Sequence, residues 1–181
     1  MANYADLNPE SWNARSAPPT VRYVDLSNTK RGVIESYSEL DWDTAPSRAR
    51  RVARLGDTLV GTVRPGNGSY AFIGEEGLTA STGFALLRPK ASDLEDLVYI
   101  AATNSENIDR LTLLADGGAY PAVNPCVVLA TEVPKISVEL AIAFAGIVSP
   151  FRKLIERRKI ESRTLAETRD YLLPRLMSGE V

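Results

Sequence analysis

The chain has 181 residues, of which 44% are hydrophobic and 24% charged, with a formal net charge of −2. That length fits one domain of ordinary size plus an appendage, and the hydrophobic share is that of a folded soluble protein. The sequence contains no histidine and a single cysteine, which excludes Ser-His-Asp and Cys-His catalytic sites, internal disulfides and zinc sites built from soft ligands.

The first half of the chain predicts an arm, a loop and several short strands. Residues 1–20 contain Asn8-Pro9, Pro18 and Pro19 and predict an extended arm. Alternation of apolar and polar residues predicts a strand at 21–26, whereas residues 27–47 are polar without a period and predict a long loop. Further strands, separated by glycine-containing turns, are predicted at 58–63, 70–73, 78–81 and 84–87.

Two helices and a strand are predicted in the next segment. The run Ser92-Asp93-Leu94-Glu95 has the form of a capping box with Ser92 as N-cap, opening a helix that ends near Ala102. A second helix extends from near Asn107 to the glycine pair at 117–118. Residues 127–130 are apolar and predict a strand, and these neighbours predict that Cys126 is a small buried thiol.

The C-terminal segment predicts one very long helix over residues 137–173. Its apolar residues recur at alternating spacings of four and three, as in a coiled-coil seam, and we expect them to mediate dimerisation because a lone helix cannot bury such a stripe. This apolar stripe consists of Leu140, Phe144, Ile147, Phe151, Leu154, Leu165 and Leu172. The charged pairs on the opposite side are spaced for i,i+4 ion pairing: Arg152/Glu156, Arg157/Glu161 and Arg163/Glu167.

Pro150 is the one defect in this helical pattern. Proline inside a helix removes a hydrogen bond and bends the helix. The alternative is that Pro150 starts a second helix, which folds back as a hairpin. The fold class predicted for the whole chain is α+β, with a mixed β-sheet domain over residues 1–136 followed by a long coiled-coil-forming helix within 137–181.

Arginines form the first group of candidate ligand contacts. Arg48, Arg50 and Arg51 follow one another closely after a turn, and arginine suits bidentate contact with phosphates and with guanine edges. The alternative is a solvated loop in which these charges bind nothing. No cofactor, metal site or catalytic residue is predicted, since the acids Asp57 and Glu75 lie on turns where solvated carboxylates are expected anyway.

Three further segments carry residues suited to a ligand. Arg64 ends a strand beside a glycine-rich loop that carries Asn67 and Ser69, where backbone can approach a ligand and asparagine can read adenine. Residues 80–84 place small hydroxyl groups before a glycine, and the loop at 117–124 presents Tyr120. The structural alternatives are a hairpin turn, a tight connection between strands, and a tyrosine packed on the domain.

Taken together, these segments resemble the DNA specificity subunits of type I restriction–modification systems. The most specific piece is the closing run Leu-Leu-Pro-Arg-Leu-x-Ser-Gly-Glu at 172–180. The resemblance extends from about residue 20 to the end. Its other parts are Arg22-Tyr23-Val24-Asp25-Leu26-Ser27, Pro46-Ser47-Arg48-Ala49-Arg50-Arg51, Gly56-Asp57-Thr58-Leu59, Val63-Arg64-Pro65, Ser81-Thr82-Gly83-Phe84, Leu87-Arg88-Pro89 and Asn124-Pro125.

The resemblance implies a target recognition domain over residues 1–136 and a spacer helix within 137–181. It implies a non-catalytic subunit that binds double-stranded DNA in a sequence-specific manner, docks DNA adenine methyltransferase subunits and recruits restriction subunits indirectly. The DNA contacts would come from Arg48, Arg50, Arg51, Arg64, Asn67, Ser69 and Tyr120. The lack of histidine agrees with a subunit that has no catalytic centre.

The chain departs from the family pattern because it carries one recognition unit, whereas family members usually carry two. It is therefore either a half-subunit that works as a homodimer on a split palindrome or a fragment of a longer protein. The alternative function is a coiled-coil adaptor or regulator of methyltransferase subunits that does not read DNA. No apolar run is long enough to span a bilayer and no export signal is present, so we expect a cytoplasmic protein without membrane contact.

Overall fold

The computed structural model describes residues 1–179, so Glu180 of the closing motif lies outside the described residues. The fold is α+β, as predicted. The strands are β1 (Ala5–Leu7), β2 (Thr20–Val24), β3 (Thr29–Lys30), β4 (Val33–Ile34), β5 (Ser38–Asp41), β6 (Ala49–Val52), β7 (Thr58–Gly61), β8 (Tyr70–Phe72), β9 (Leu78–Ser81) and β10 (Phe84–Pro89). The helices are α1 (Glu95–Thr103), α2 (Ser105–Leu114), α3 (Pro125–Leu129) and α4 (Val138–Ser178).

The strands form two four-stranded sheets and a small ribbon. The first sheet has the order β1-β10-β7-β8 and is antiparallel throughout. The second has the order β5-β2-β9-β6 and is mixed, because β2 pairs parallel with β9. The ribbon pairs β3 with β4. A short turn at 82–83 connects β9 directly to β10 and so carries the chain from one sheet to the other.

Alternate residues of β10 contribute to two separate apolar clusters. Ala85 and Leu87 pack with the cluster that includes Val98, Leu111 and Val128 of the first three helices. Phe84 and Leu86 pack with the cluster that lies between the two sheets, among Val24, Leu59, Ile73 and Leu78. Both faces of the strand are therefore buried, which explains why its sequence is a continuous apolar run.

The N-terminal segment is part of the domain, so the predicted extended arm is wrong. β1 pairs with β10, and the Met1 ammonium donates a hydrogen bond to the Thr131 carbonyl oxygen at 2.5 Å. The Trp12 indole N–H donates to the Thr79 hydroxyl at 2.9 Å. The long loop predicted at 27–47 is also wrong, since it contains β3, β4 and β5.

The predictions of a strand at 127–130, a buried Cys126 and a capping box at Ser92 are wrong. Residues 125–129 form a helix instead of a strand because Asn124 accepts a hydrogen bond from the Cys126 N–H, and Pro125 suits the first helical position. Cys126 is consequently exposed. Ser92 lies in a 3₁₀ turn and caps no helix, while Glu95 turns its carboxylate towards Arg152.

The predicted long helix is confirmed as α4, which runs without interruption through Pro150. Its first turn is capped by Ser137, whose hydroxyl accepts a hydrogen bond from the Leu140 N–H at 3.2 Å. The hairpin alternative is therefore wrong. Pro150 has no N–H, so the Gly146 carbonyl has no helical hydrogen-bond donor. Both residues lie on the exposed side of the helix, where water can donate to that carbonyl.

The helix packs on its own domain through a polar face. Arg152 forms ion pairs with Asp96 and Glu95 of α1, its guanidinium lies 3.8 Å from the centre of the Phe72 ring, and Ser149 donates a hydrogen bond to Asp96. Two further contacts lie about two and three turns beyond Arg152. The Lys159 ammonium donates to the Gly32 carbonyl oxygen at 2.7 Å, and Arg163 pairs with Glu75 at 2.7 Å.

This docking changes the ion pairs expected along α4. Arg152 and Arg163 bind carboxylates of the domain in place of their i,i+4 neighbours. Within the helix, two ion pairs have i,i+3 spacing and join Arg158 to Glu161 at 2.7 Å and Lys159 to Glu156 at 2.6 Å, and a third joins the adjacent Arg169 and Asp170 at 2.8 Å. The i,i+4 pairs predicted from the sequence are therefore wrong.

Burial changes the protonation behaviour of groups beneath the helix. It raises the pKa of the Tyr99 hydroxyl to about 12, with a further contribution from the nearby Glu156 charge. It also raises the pKa of Glu156 itself, against the opposing effect of the Lys159 ammonium. Tyr99 and Glu156 are thus partly desolvated, and the protonation of each depends on the charges around it.

Arg152→Leu is expected to lower the free energy of unfolding by about 3–5 kcal/mol, because it leaves the Asp96 carboxylate buried without its cationic partner. The Asp96 side chain is only 1% exposed. Urea denaturation followed by circular dichroism measures the change. Lys153→Leu, at the exposed neighbouring position, is the matched control and should shift stability by no more than about 0.5 kcal/mol. Equal losses in the two variants would contradict a dominant Arg152–Asp96 contact.

Candidate nucleic-acid interface

The four segments selected from the sequence meet along one edge of the domain, which we call the loop edge. It comprises residues 45–48, 62–69, 82–83 and 116–124. Backbone hydrogen bonds join these segments in series: Thr82 N to Arg48 O at 2.8 Å, Thr62 N to Gly83 O at 2.8 Å, Val123 N to Thr62 O at 2.9 Å and Arg64 N to Pro121 O at 2.7 Å. The loops therefore form a continuous, internally braced rim at the ends of both sheets.

Arg64 is the most constrained side chain on the loop edge. Its backbone has a φ of 47°, in the left-handed region that residues other than glycine seldom adopt. Its guanidinium donates to the Ala119 carbonyl oxygen at 2.9 Å and lies 4.7 Å from the centre of the Tyr120 ring. Both side chains remain exposed, Tyr120 by 70%. The plane of the arginine is thus held in one orientation, with several N–H donors facing outward.

Arg48 reaches the same edge but is partly engaged. Its guanidinium donates to the Tyr23 hydroxyl at 2.8 Å and to the Asp25 carboxylate at 2.7 Å. These two contacts raise the pKa of Arg48 above its usual value, Tyr23 contributing most. The side chain is 57% exposed, so the remaining donors are accessible. A phosphate would have to compete with Asp25 for this arginine.

Arg50 and Arg51 differ from Arg48 because they lie within β6, at a register irregularity against β9. The Arg50 guanidinium stacks 4.2 Å from the centre of the Trp42 ring. Arg51 is half-buried: its Nε is buried and meets no hydrogen-bond partner among residues 1–179, and burial lowers its pKa. Arg51 is consequently a weaker candidate than the sequence indicates.

Asn67 and Ser69 have different environments although they share one loop. Asn67 is exposed at the tip of that loop. Ser69 is half-buried and its hydroxyl donates to the Leu26 carbonyl oxygen at 3.1 Å, a contact that braces the loop against the segment after β2. The geometry therefore favours a structural role for Ser69 and leaves Asn67 free to contact a ligand.

Arg31 is a candidate that the sequence analysis did not select. It lies in the turn between β3 and β4, with a φ of 44°, and its backbone N–H donates to the Gly68 carbonyl oxygen at 2.7 Å. Its exposed side chain thereby stands beside the loop that carries Asn67. The dipeptide Arg31-Gly32 is the sequence signal for this turn, but residues 27–47 have no period that would place it beside the loop.

Other arginines of the domain are engaged by carboxylates. Arg88 binds the buried Asp57, an ion pair that raises the pKa of Arg88, and Glu10 bridges Arg88 to Arg54. Among residues 1–179, by contrast, Arg31 and Arg64 form no ion pair. Arg64 on the loop edge and Arg31 beside it are therefore cationic side chains available to an anion, although the chain as a whole is slightly acidic.

Comparison with known proteins gives a consistent relationship. No family model matches the chain. The type I restriction enzyme HindI specificity subunit of Haemophilus influenzae is 24% identical over 113 residues, which make up 60% of this chain and 25% of that protein. The HsdS subunit from Thermoanaerobacter tengcongensis, a solved structure, superposes with a TM-score of 0.57 at 28% identity, covering 99% of this chain and 47% of that one. The predicted resemblance to type I specificity subunits is confirmed.

A second solved structure agrees with this relationship. A chain from a study of complex assembly and conformational transition of the type I R-M system has a TM-score of 0.59 at 27% identity, over 94% of this chain and 45% of that one. This chain thus spans about half the length of the solved specificity-subunit structures it matches. Among residues 1–179, the loop edge and the apolar stripe of α4 both present exposed side chains to solvent.

The hydropathy of the helices was also compared with that of membrane spans. Among residues 1–179, no helix is both long and apolar enough to cross a membrane.

Ser69→Ala is expected to lower the free energy of unfolding by about 1 kcal/mol, because the Leu26 carbonyl loses one of its two donors and the hydrogen bond that ties the loop to it is removed. Thermal or urea unfolding measures the change. Asn67→Ala, two residues away in the same loop but exposed, is the matched control and should stay within about 0.5 kcal/mol of the parent. If the two variants lost equal stability, the bracing role of Ser69 would be refuted.

Proposed function

We propose that this chain is the DNA-reading half of a type I specificity subunit, with the loop edge as its DNA-contacting surface. The observation that carries the proposal is the braced arrangement of Arg64 with Tyr120 beside Asn67 on a specificity-subunit fold. Arginine and asparagine supply the donors and acceptors that recognise guanine and adenine edges in the major groove. Braced loops can present them without a large loss of side-chain entropy.

The positions of the charged side chains support separate roles, some contacting phosphates and others contacting bases. Arg31 and Arg48 flank the loop that carries Arg64 and Asn67, so they are placed for the DNA backbone while the central pair contacts bases. Arg50 and Arg51 would contribute from the side of β6. Since few arginines are free, we expect binding to involve few phosphates and to show a moderate salt dependence.

We further propose that the chain acts as a homodimer that reads a split palindrome. The apolar stripe on α4 supports this, because the helix docks on its domain with another face and leaves residues such as Ile147, Phe151 and Leu154 more than half exposed. An exposed stripe of this length is costly in water unless a second helix covers it. Two-fold pairing would supply two identical half-site readers.

Methyltransferase docking and the absence of catalysis complete the proposal. The matched proteins are described as a specificity subunit and as part of a type I system that assembles into complexes. We infer that this chain likewise docks DNA adenine methyltransferase subunits, reaches restriction subunits through them and performs no chemistry itself. Co-purification with the methyltransferase subunit of a type I system, followed by sequencing of the modified DNA, tests this part and reveals both half-sites.

Arg64→Ala is expected to cost about 1–3 kcal/mol of binding free energy for the preferred site and to relax specificity at one base position. Fluorescence anisotropy with duplexes selected by the unmodified protein, in the presence of the methyltransferase subunit, measures both effects. The matched control is Arg157→Ala, an exposed arginine on α4 outside the loop edge, which should bind DNA almost as the parent does.

The outcome of that experiment distinguishes the possible roles. A uniform loss across all sequences would make Arg64 a phosphate contact and would contradict base reading. If the unmodified protein binds DNA with no salt dependence, or not at all, the coiled-coil adaptor without DNA reading replaces the specificity function.

Leu154→Asp is expected to raise the dimer dissociation constant at least ~100-fold, because it places an unpaired carboxylate in the centre of the apolar contact. Multi-angle light scattering and sedimentation equilibrium of the full chain measure the association. Lys153→Asp, at the exposed adjacent position on another face of the helix, is the matched control and should remain dimeric. A stable monomer of the unmodified chain at micromolar concentration would overturn the homodimer.

A further inference from the structure

The turn formed by Arg31 and Gly32 connects the two strands of the small ribbon. Both residues have a positive φ, 44° for Arg31 and 87° for Gly32. Glycine adopts this conformation readily, but for an arginine it costs free energy and persists only where neighbouring groups hold the backbone. The contacts around this turn therefore decide how the exposed Arg31 side chain is presented.

Two backbone hydrogen bonds tie the turn to the loop that carries Asn67. The Arg31 N–H donates to the Gly68 carbonyl oxygen at 2.7 Å, and the Gly32 N–H donates to the Tyr70 carbonyl oxygen at 2.8 Å. The Arg31 side chain passes close over Gly68, where a β-carbon would approach the arginine Cγ to 3.1 Å. The position of the Arg31 guanidinium beside this loop is thus coupled to the conformation of the turn.

The long helix holds the other side of the same turn. The Lys159 ammonium donates to the Gly32 carbonyl oxygen at 2.7 Å and to the Glu156 carboxylate at 2.6 Å. The side chain of Lys159 is 24% exposed and that of Glu156 13%. Charge-assisted hydrogen bonds are strong where water is partly excluded. The ammonium therefore fixes the Gly32 carbonyl and limits rotation of the residue that follows Arg31.

Gly32 is buried, and the packing around it leaves no room for a side chain. A β-carbon at this position would lie 2.8 Å from the Tyr99 hydroxyl, closer than van der Waals contact allows. It would also lie 3.9 Å from the Lys159 ammonium and 3.9 Å from the Tyr70 ring. Side chains of α1, α4 and β8 thus meet at one glycine, and the turn joins the long helix to the segment beside the loop edge.

Lys159 and Arg31 differ in what their charges can do. The Lys159 ammonium has two protein acceptors, and Glu156 balances its charge. Arg31 is exposed and forms no ion pair within the part of the chain that the structure describes. The geometry therefore favours Arg31 as the cation that meets an anionic ligand and Lys159 as the cation that holds its backbone.

From these contacts we propose that Lys159 is a positioning residue for DNA binding, because its hydrogen bond to Gly32 holds the turn that presents Arg31 to a phosphate beside Asn67. This inference rests on the proposed function, in which Arg31 contacts the DNA backbone, and adds the residue of α4 that orients this contact. A turn that is held before binding loses less conformational entropy when the phosphate is bound.

A charge-balanced double variant tests the role of Lys159. Lys159→Met/Glu156→Gln removes the ammonium together with the carboxylate that it balances, so the net charge is that of the parent and no buried carboxylate is left without its cation. Fluorescence anisotropy under the conditions used for Arg64 should show a DNA affinity reduced roughly 3–10-fold. The magnitude of the slope of log affinity against log salt concentration should fall by about 1, because one phosphate contact is lost.

Arg31→Ala shows whether both residues act through one contact. Alone, it should reproduce the loss of affinity and the smaller salt slope. Added to Lys159→Met/Glu156→Gln, it should reduce the affinity by no more than about 1.5-fold further, because residues that share one contact are not additive. Losses that multiply would show that Lys159 acts independently of Arg31 and would overturn the proposal.

Glu156→Gln alone is the matched control. It keeps the lysine, its hydrogen bond to Gly32 and an acceptor for the ammonium, so it should bind DNA at least as tightly as the parent. A loss in this variant equal to that of Lys159→Met/Glu156→Gln would assign the effect to the carboxylate and would overturn the role of the lysine.

Amide hydrogen exchange examines the turn in the absence of DNA. In Lys159→Met/Glu156→Gln, the N–H groups of Arg31 and Gly32 should exchange at least ~10-fold faster than in the parent, because the turn opens more often. The N–H groups of β7 should exchange at the parent rate, which shows that the domain remains folded. Unchanged exchange at the turn would overturn the proposal.

The results distinguish this inference from the function on which it rests. If the parent binds DNA and Lys159→Met/Glu156→Gln binds it equally well, the role of Lys159 is overturned and the proposed function is unaffected. If the parent binds no DNA, the proposed function is overturned, and the positioning role in DNA binding is overturned with it.

Discussion

The buried ion pair between Arg152 and Asp96 determines how the long helix lies on the domain. A helix of 41 residues cannot be held by its first turn alone, and its polar face offers little apolar area for docking. The arginine compensates by combining a carboxylate pair with the face of the Phe72 ring, and Lys159 and Arg163 extend the contact along the domain. Such a contact is directional, so it fixes orientation more than it adds stability.

The helix therefore has two faces with separate tasks. The polar face, from Ser149 to Arg163, belongs to the fold and is matched by specific acceptors on the domain. The residues of the apolar stripe do not form these polar contacts, and most of them are exposed. At about 100° per residue the two faces are roughly 150° apart around the helix, so each can be occupied without disturbing the other. The loop edge is a third surface, braced by its own backbone hydrogen bonds.

The elements of the fold that depend on local sequence patterns could be predicted from the sequence. The period of α4 and the glycine-separated strands between Thr58 and Pro89 are local patterns. The partners of Arg152 could not be predicted, because Asp96 lies 56 residues away and i,i+4 spacing suggested a neighbour instead. The apolar run after Pro125 was ambiguous between strand and helix, and Asn124 decided it by capping.

The candidate site shows the same limit. Each of its four segments was recognisable from arginine, glycine or asparagine content, but their assembly depends on backbone pairings such as Arg64 with Pro121 that join distant parts of the chain. Arg31 could not be placed from the sequence, because the small ribbon that positions it has no regular alternation of apolar and polar residues. The ion pair between Arg48 and Asp25 could not be predicted either, because it depends on strand pairing that places the Asp25 carboxylate at the loop edge.

The angle between the docked face and the apolar stripe of α4 has a geometric consequence for any assembly. The two-fold axis of an antiparallel helix pair is perpendicular to the plane that contains both helices. Rotation about this axis therefore keeps each domain on its original side of the plane. A domain that lies on one side of this plane would then have its two-fold copy on the same side. A parallel pair has its axis along the helices and would place the two domains on opposite sides of the plane.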